Sequence, residues 1–315
     1  MNKLLNYFLL LIGIGLPAFA PLTAATFDLP SANEAVIGQT QKIAARYEDT
    51  LSDIARRYGL GFNEIRHANP KVDTWLPGAG TEVVLPTHFI LPDAPREGIV
   101  INVAEMRLYY YPKARPGERP QVVTHPISIG RGDWETPLVT TKVMAKIKDP
   151  IWHPPESVRK EHAATGDPLP KVVPPGPDNP LGRFELRLGL GSYLIHGTNK
   201  PFGIGMQVTH GCIRLYPEDI ESLFQAVSIG TPVRIINQPY KAGWQGNELF
   251  LEVHAPLTGG PLSDGPAPDS ARDLTPIIGR VIAATQGREN YPVDWDKVRT
   301  VMQDQAGIPF SIMRD

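Results

Sequence analysis

The chain has 315 residues, more than one typical domain, so two compact units with additional segments are expected. Hydrophobic residues make up 42% and charged residues 20% of the sequence, which is typical of a globular protein and excludes a disordered or fibrous one. The formal net charge of −2 provides no basic surplus for a nucleic-acid groove, and no polybasic run indicates binding to a membrane surface.

Residues 1–25 have the pattern of a signal peptide. A run of mostly apolar residues, 4–16, follows Lys3; it is shorter than the roughly 20 residues that a transmembrane helix needs but fits a signal-peptide core. Because Pro21 would hinder cleavage directly before it, we place the cleavage site near Ala25. The alternative is a buried core helix. We therefore expect an exported protein, located in the periplasm, whose mature form has no transmembrane segment.

Residues 39–87 have the pattern of a small β-α-α-β unit. A short strand at 41–47 precedes a helix that Thr50 caps, with Asp53 as the partner of a capping box. The apolar stripe of this helix and the glycine that ends it are Leu51, Ile54, Ala55, Tyr58 and Gly59. A second short helix at 63–68 and a closing strand at 82–85 complete the unit.

This order of elements, with Asp49-Thr50-Leu51, Asn69-Pro70 and Leu76-Pro77-Gly78, resembles the LysM module. The resemblance implies binding to glycan strands that contain N-acetylglucosamine, such as those of peptidoglycan. The alternative is a small packing domain that binds no glycan, because a fold alone does not determine function.

Residues 98–238 are rich in strand patterns and contain one clear helix. Strands are predicted near residues 99–103, 106–111, 122–123, 127–129, 140–143, 184–188, 193–195 and 231–236. Pro217 fits the first position of the helix, and its apolar stripe is Ile220, Leu223, Phe224 and Val227. The predicted fold class is therefore mostly β with some α, as a β-sandwich or barrel with one docked helix.

Two further segments belong to the chain. Residues 149–182 interrupt the strand-rich domain with nine prolines, and a loop of this length usually serves as a lid or a wall of a site. Residues 240–315 are a C-terminal extension of open role. It has a strand pattern at 249–253 and a helical stripe of Val293, Val298, Val301 and Met302.

Cys212 is the only cysteine of the chain. Exported proteins normally keep their cysteines in pairs, so an unpaired thiol is either buried and inert or used in chemistry. A histidine, His196, ends a predicted strand, and a second one, His210, follows fourteen residues later, two positions before the thiol. An imidazole and a helix N-terminus near Cys212 would raise its thiolate fraction, and the turn at His210-Gly211-Cys212 could present N–H groups to an oxyanion.

Three other interpretations of these residues remain open, the first being that a single histidine is a satisfied core residue. The thiol could be an inert core residue, which is the usual state of a lone cysteine. His196, His210 and Cys212 could also bind zinc, although a structural zinc site needs a fourth ligand and none lies close in the sequence.

The paired motif, His196-Gly197-Thr198 and Thr209-His210-Gly211-Cys212-Ile213-Arg214-Leu215, resembles the L,D-transpeptidase (YkuD) domain, particularly the ErfK/YbiS/YcfS/YnhG group of exported bacterial enzymes. The resemblance implies a YkuD-type catalytic domain with Cys212 as nucleophile and His196 as general base. It implies that the carbonyl of Gly197 orients the base, and that Thr209, His210 and Gly211 line the site and its oxyanion hole. Arg214 would either hold a stem-peptide carboxylate or support the following helix.

The resemblance also implies a reaction. The enzyme would cleave the bond between diaminopimelate and D-alanine in a peptidoglycan stem tetrapeptide, without metal or cofactor. It would transfer the acyl group to a second diaminopimelate, giving a 3–3 cross-link, or to the lysine of an outer-membrane lipoprotein. The alternatives are an L,D-carboxypeptidase with water as acceptor and a non-catalytic murein-binding protein that acts through its LysM-like module.

Overall fold

The structure is a computed structural model that describes residues 25–132, 134–257, 274–288 and 291–314. The predicted signal peptide lies outside the described residues except for Ala25, which is the first residue of the first strand. Among the described residues, no helix has both the length and the apolarity needed to span a membrane.

Eighteen strands and six α-helices make up the described chain. The first half consists of β1 (Ala25–Asp28), β2 (Val36–Gly38), β3 (Gln41–Ala44), α1 (Leu51–Arg57), α2 (Phe62–Ala68), β4 (Glu82–Leu85), β5 (His88–Ile90), β6 (Gly98–Asn102), β7 (Arg107–Tyr111), β8 (Gln121–Pro126), β9 (Ile129–Gly130), β10 (Val139–Lys148) and α3 (Glu156–Ala164). The second half consists of β11 (Phe184–Leu188), β12 (Leu194–His196), β13 (Gln207–Thr209), β14 (Ile213–Arg214), α4 (Pro217–Ala226), β15 (Pro232–Ile236), β16 (Tyr240–Gln245), β17 (Glu248–Val253), α5 (Thr275–Thr285), α6 (Trp295–Asp304) and β18 (Phe310–Ser311).

A nine-stranded sheet in the order β1-β8-β7-β6-β15-β10-β11-β12-β14 organises the molecule. Neighbouring strands are antiparallel except for the pairs β6–β15 and β12–β14, which are parallel. The predicted fold class, mostly β with some α, is confirmed. Two of the strands that carry the predicted site residues, β12 and β14, lie at one end of this sheet.

The centre of the sheet is covered on both faces. In β6, Ile99 and Ile101 join the core that contains the buried stripe of α4, whereas Val100 joins a second core shared with α1 and α2. Successive residues of a strand point to opposite faces, so each strand here contributes to both cores. This double burial explains why the residues of β6 and β7 are buried in succession rather than in alternation.

The predicted β-α-α-β unit consists of β3, α1, α2 and β4. The predicted capping box is present, because Thr50 Oγ1 accepts from the Asp53 amide at 3.1 Å and Asp53 accepts from the Thr50 amide at 3.1 Å. The strand β3 ends at Ala44 rather than at the predicted residue 47, since the Asp49 carboxylate accepts from the Arg46 amide and bends the chain.

This unit is attached to the large sheet by polar contacts as well as by its core. Arg107 in β7 is fully buried, and its Nε and Nη2 donate to the two carboxylate oxygens of Glu64 in α2 at 2.7 and 2.8 Å. Arg56 in α1 binds Glu218 in α4 with two hydrogen bonds, at 2.8 and 3.0 Å. The small unit therefore contacts both the sheet and the helix that follows Cys212.

The insertion at residues 149–182 is an ordered unit and contains α3, a helix that the sequence analysis did not predict. The Asp149 amide donates to the Arg183 carbonyl at 2.7 Å and closes its base, and Trp152 and Val173 exchange two backbone hydrogen bonds at 2.9 Å. The buried Asn179 donates to the carbonyl of Pro150 at 2.9 Å and so ties its two limbs together.

The C-terminal extension has its own core between the β16–β17 hairpin, β18, α5 and α6. Val298, Val301 and Met302 face this core from α6, as the helical stripe predicted. The inclusion of Val293 in that helix was wrong, because Asp294 caps the helix and Val293 lies before it in a bridge to Met313.

Candidate active site

Three neighbouring strands bring the predicted site residues to one face of the sheet. The register sets Glu185 of β11 opposite His196 of β12, and His196 opposite Arg214 of β14. Alternate residues of a strand share a face, so Cys212, two positions before Arg214, lies on the same face as His196. Ile213, which lies between Cys212 and Arg214, points to the opposite face and is fully buried in the core.

The imidazole of His196 is held in one tautomer. Its Nδ1 lies 2.7 Å from the carbonyl oxygen of Gly197. A carbonyl oxygen can only accept, so Nδ1 carries the hydrogen and Nε2 is the basic nitrogen. Burial lowers the pKa of His196 to about 3, and the positive charge of Arg214 acts in the same direction. The ring is therefore neutral at neutral pH.

The thiol of Cys212 is also neutral at rest. Burial raises its pKa above the ordinary value, although the Leu194 amide and the charge of Arg214 oppose this effect. The side chain is partly exposed, and Sγ lies 3.8 Å from the carbonyl oxygen of Ser192, to which the thiol donates. Arg214 thus influences the protonation of both Cys212 and His196.

This finding corrects one expectation from the sequence. An imidazole and a helix N-terminus were expected to raise the thiolate fraction of Cys212, but burial keeps the thiol neutral, and the imidazole of His196 is neutral as well. The helix α4 begins at Pro217, and β14 separates it from the thiol. Its N-terminal dipole, which acts only over about one helical turn, therefore provides no direct support for a thiolate.

In the turn between β13 and β14, two carbonyl groups accept hydrogen bonds from threonine side chains, whereas the N–H groups have no acceptor among the described residues. Thr209 Oγ1 donates to the carbonyl of Cys212 at 2.6 Å, and Thr136 Oγ1 donates to the carbonyl of Gly211 at 2.9 Å. Within the described chain, the amides of His210, Gly211 and Cys212 donate to no hydrogen-bond acceptor. Gly211 has a φ of +94°, and a Cβ there would lie 2.8 Å from an aromatic ring carbon, so only glycine fits.

The residues that surround His210 were not predicted from the sequence. Nε2 of His210 lies 2.7 Å from Glu161 Oε2, and Arg131 also donates to the Glu161 carboxylate. The ring of Trp134 meets the His210 ring edge-on, with centroids 5.0 Å apart. Glu161 belongs to α3, 49 residues away in sequence, and no local pattern connects it to the motif.

Arg214 has a buried nitrogen without a partner. Its Nε is buried and makes no hydrogen bond within the described residues, and burial lowers the pKa of this guanidinium. Glu185 lies in the same cross-strand row as His196 and Arg214. Its carboxylate, however, accepts a hydrogen bond from Arg187 Nε at 2.6 Å. An unsatisfied guanidinium beside a thiol is suited to binding an anionic group of a ligand.

One group of residues outside this site has its side chains close enough together to bind a metal ion. Glu105, Glu252 and His254 place ligand atoms within 4.8 Å of one another. Lys241 already lies between the two carboxylates, with Nζ 2.7 Å from Glu105 and 2.8 Å from Glu252. Among the described residues, Cys212 and the two histidines beside it do not form such a group, so the geometry gives no support to the zinc interpretation.

Comparisons with known proteins identify two families. The model of the L,D-transpeptidase catalytic domain, YkuD, matches residues 96–235, and the model of the LysM domain matches residues 43–86. Among solved structures, L,D-transpeptidase 3 from Mycobacterium tuberculosis with a faropenem-derived adduct aligns with a TM-score of 0.33 and 21% identity, covering 51% of this chain and 66% of that one.

Curated relatives match nearly the whole chain. It is 42% identical over 301 residues to the probable L,D-transpeptidase YcfS of Escherichia coli K12, covering 93% of this chain and 90% of the relative. It is 41% identical over 292 residues to the probable L,D-transpeptidase YbiS of the same strain, with 91% and 92% covered. The probable L,D-transpeptidase ErfK/SrfK of Salmonella typhimurium LT2 is 40% identical over 293 residues, with 92% and 91% covered. The chain therefore belongs to the L,D-transpeptidase family and carries a LysM domain ahead of its YkuD catalytic domain.

Proposed function

We propose that this chain is an exported peptidoglycan L,D-transpeptidase that uses Cys212 as its nucleophile. The observation that carries the proposal is a lone, partly exposed thiol next to three backbone N–H groups that find no acceptor in the part of the chain that the structure describes. Such groups stabilise the oxyanion that forms when a thiol adds to a carbonyl. No metal or organic cofactor takes part in the proposed reaction.

The first half of the reaction acylates the thiol. Nε2 of His196 accepts the proton of Cys212 as Sγ adds to the carbonyl carbon of diaminopimelate. The amides of residues 210–212 bind the oxyanion. When the tetrahedral intermediate collapses, the carbon–nitrogen bond to D-alanine breaks and His196 gives its proton to the departing amine. A thioester and free D-alanine result.

The second half transfers the acyl group to an amine. The amine nitrogen attacks the thioester carbonyl, His196 accepts a proton, and the carbon–sulfur bond breaks to restore the thiol. The acceptor is the lysine of an outer-membrane lipoprotein or a second diaminopimelate, which would give a 3–3 cross-link. The insertion at residues 149–182, which places α3 against His210, supports a transferase over a carboxypeptidase because it would restrict the access of water.

Arg214 is proposed to bind a carboxylate of the stem peptide. Its unpartnered buried Nε favours this role over support of the following helix. We expect Arg214→Met to lower kcat/KM for a stem tetrapeptide by about 10- to 100-fold, because a charge-assisted hydrogen bond in a shielded site is lost.

Substrate analogues test this role directly. Tetrapeptides with either the terminal D-alanine carboxylate or the diaminopimelate carboxylate amidated are compared with the parent peptide in steady-state assays. With the wild type, one amidated analogue should have a lower kcat/KM than the parent peptide. With Arg214→Met, that analogue and the parent peptide should have the same kcat/KM. If Arg214→Met discriminates against both analogues as strongly as the wild type does, Arg214 binds neither carboxylate.

The neutral state of both groups predicts a flat pH profile. His196 has a pKa of about 3, so it remains unprotonated and able to accept a proton throughout pH 5–8. The raised pKa of Cys212 keeps its thiol protonated over the same range. The second-order rate constant of acylation by a carbapenem, followed by intact-protein mass, should therefore change by less than about threefold between pH 5 and pH 8.

Two other profiles would contradict this account. A tenfold increase per pH unit would mean that free thiolate, rather than the neutral pair, is the reacting species. A loss of rate below about pH 6.5 would mean that His196 titrates like an ordinary, exposed histidine.

The LysM domain is proposed to bind the glycan strands of peptidoglycan. Tyr47 precedes α1 and Trp75 follows α2; they are 86% and 63% exposed, and Leu76 is exposed beside Trp75. Tyrosine and tryptophan are enriched at binding surfaces, where one end of the ring is apolar and the other polar. Location in the periplasm is proposed from the signal-peptide pattern at residues 1–25.

Incubation with purified sacculi tests the proposed function as a whole. We expect the protein to release D-alanine and to form new bonds that mass spectrometry maps to diaminopimelate, or to a lipoprotein lysine when that acceptor is added. Release of D-alanine without any new bond would favour a carboxypeptidase. Binding to sacculi without any release of D-alanine would favour a non-catalytic murein-binding protein.

A further inference from the structure

Glu161 connects the insertion at residues 149–182 to the turn that contains the thiol. It accepts a hydrogen bond from Nε2 of His210 at 2.7 Å and a second one from Arg131. Both donors belong to the wall of the site: the Arg131 amide donates to the Thr209 carbonyl at 3.0 Å, and His210 precedes the Gly211–Cys212 pair. The carboxylate thus joins two segments around the turn.

The contact fixes the His210 ring. Hydrogen bonds from His210 and Arg131 lower the pKa of Glu161, so its carboxylate is ionised at neutral pH and can only accept. Nε2 of His210 must therefore carry the hydrogen. The 3.5 Å approach of Arg131 Nη2 to this nitrogen brings two donors together and is not a hydrogen bond in this tautomer. The edge-on ring of Trp134 restricts the imidazole further.

The orientation of the ring matters because the same residue provides part of the turn. Among the described residues, the three N–H groups of residues 210–212 find no acceptor, and the carbonyls of Gly211 and Cys212 are held by Thr136 and Thr209. The side chain of His210 gives this turn a further anchor outside its own residues. Glu161 provides that anchor from α3, in a segment whose base is closed at Asp149 and Arg183.

We propose that Glu161 is a positioning residue of the active site, which acts through His210 to orient the turn at residues 210–212. Docking of the insertion is then a condition for rapid acylation of Cys212. The proposal rests on the proposed function, since it concerns the rate at which Cys212 reacts. In this proposal, α3 both shields the site and positions the turn that contains Cys212.

The test compares acylation by a carbapenem in four proteins. Glu161→Gln should lower the second-order rate constant about tenfold or more, because it removes the charge that orders His210 and misplaces the oxyanion donors. Glu161→Asp keeps the charge and should restore part of the rate. Glu156→Gln is the matched control: it lies on the same helix in an exposed pair with Lys160, and should stay within twofold of the wild type.

Two readouts separate positioning from a general effect on folding. In ¹⁵N NMR of histidine-labelled protein, His210 should carry its hydrogen on Nε2 in the wild type and populate both tautomers in Glu161→Gln. In a His210→Gln background, Glu161→Gln should cause no further loss of rate, since the residue through which it acts is absent.

The outcomes are distinguishable. If the wild type forms no adduct, both the proposed function and this inference fail. If the wild type reacts and Glu161→Gln reacts at the same rate, only the inference fails. An equal loss in the wild-type and His210→Gln backgrounds would also overturn it, because Glu161 would then act independently of His210.

Discussion

Cys212→Ala should form no covalent adduct with a carbapenem and release no D-alanine from a stem tetrapeptide, a loss of at least about 10³-fold. The only thiol of the chain is removed, and with it the atom that bonds to the acyl carbon in the proposed reaction. The melting temperature should change little, because the side chain is small and partly exposed, and its polar contacts are weak ones to the backbone of Ser192 and Leu194.

His196→Ala provides a second variant for the same experiment. It should retain the thiol and react very slowly, since the proton acceptor Nε2 is lost while the oxyanion donors remain. Intact-protein mass spectrometry and D-alanine release measure both variants. An adduct of unchanged rate in Cys212→Ala would show that another residue is the nucleophile.

Lys241→Met should lower the free energy of unfolding by about 3–5 kcal/mol. Lys241 is almost fully buried between Glu105 and Glu252, which are also buried, and its Nζ donates to the Ile90 carbonyl at 2.6 Å. Burial opposes the charged form, but the two carboxylates raise the pKa of Lys241 above its ordinary value. Without the ammonium group, two buried carboxylates lose a shared counter-charge, and the contact between the catalytic domain and the C-terminal extension weakens.

The loss of unfolding free energy in Lys241→Met should be smaller at acidic pH than at neutral pH. Burial opposes ionisation of Glu252, yet Lys241 and His254 bring its pKa down to about 2. The stabilisation it provides is therefore present above its unfolded pKa, about 4.3, and is lost as the pH falls towards 2. In Lys241→Met, the carboxylates can protonate at mildly acidic pH, so the deficit relative to the wild type should shrink between pH 7 and pH 4.

Urea denaturation at both pH values measures this effect. Lys42→Met is the control, because Lys42 pairs with Glu82 at 2.7 Å on the surface, with side chains 61% and 64% exposed. Its loss should cost less than about 0.5 kcal/mol. A deficit below about 1 kcal/mol for Lys241→Met, or one that is equal at pH 7 and pH 4, would contradict the proposed role of the buried cluster.

The sequence was sufficient to predict features that depend on local chemistry. The capping box of Thr50 and Asp53 was predictable because both partners lie within one helical turn. The placement of the two motifs on adjacent strands was predictable because the first ends one strand and the second enters another, and β12 pairs with β14. The glycine at position 211 was expected for its backbone freedom, which its positive φ requires.

Features set by tertiary contacts were not predictable from the sequence. Glu161 reaches His210 from a proline-rich segment whose periodicity gave no sign of α3. Burial keeps the Cys212 thiol neutral against the charge of Arg214, whereas burial and that same charge both keep His196 neutral, and a motif reveals neither effect. The buried Lys241 joins carboxylates 136 positions before it and 11 after it, and the chain between them carries no signal of that pairing.

The central claim, that Cys212 carries the acyl group during turnover, is tested most directly by trapping that group. The wild-type protein is mixed with a stem tetrapeptide, without an acceptor amine, quenched in acid within seconds and analysed by intact mass and peptide mapping. The account predicts a mass increase equal to the tetrapeptide minus D-alanine, located on the peptide that contains Cys212. Release of D-alanine with the acyl group on any other residue, or with none on the protein at any quench time, would contradict it.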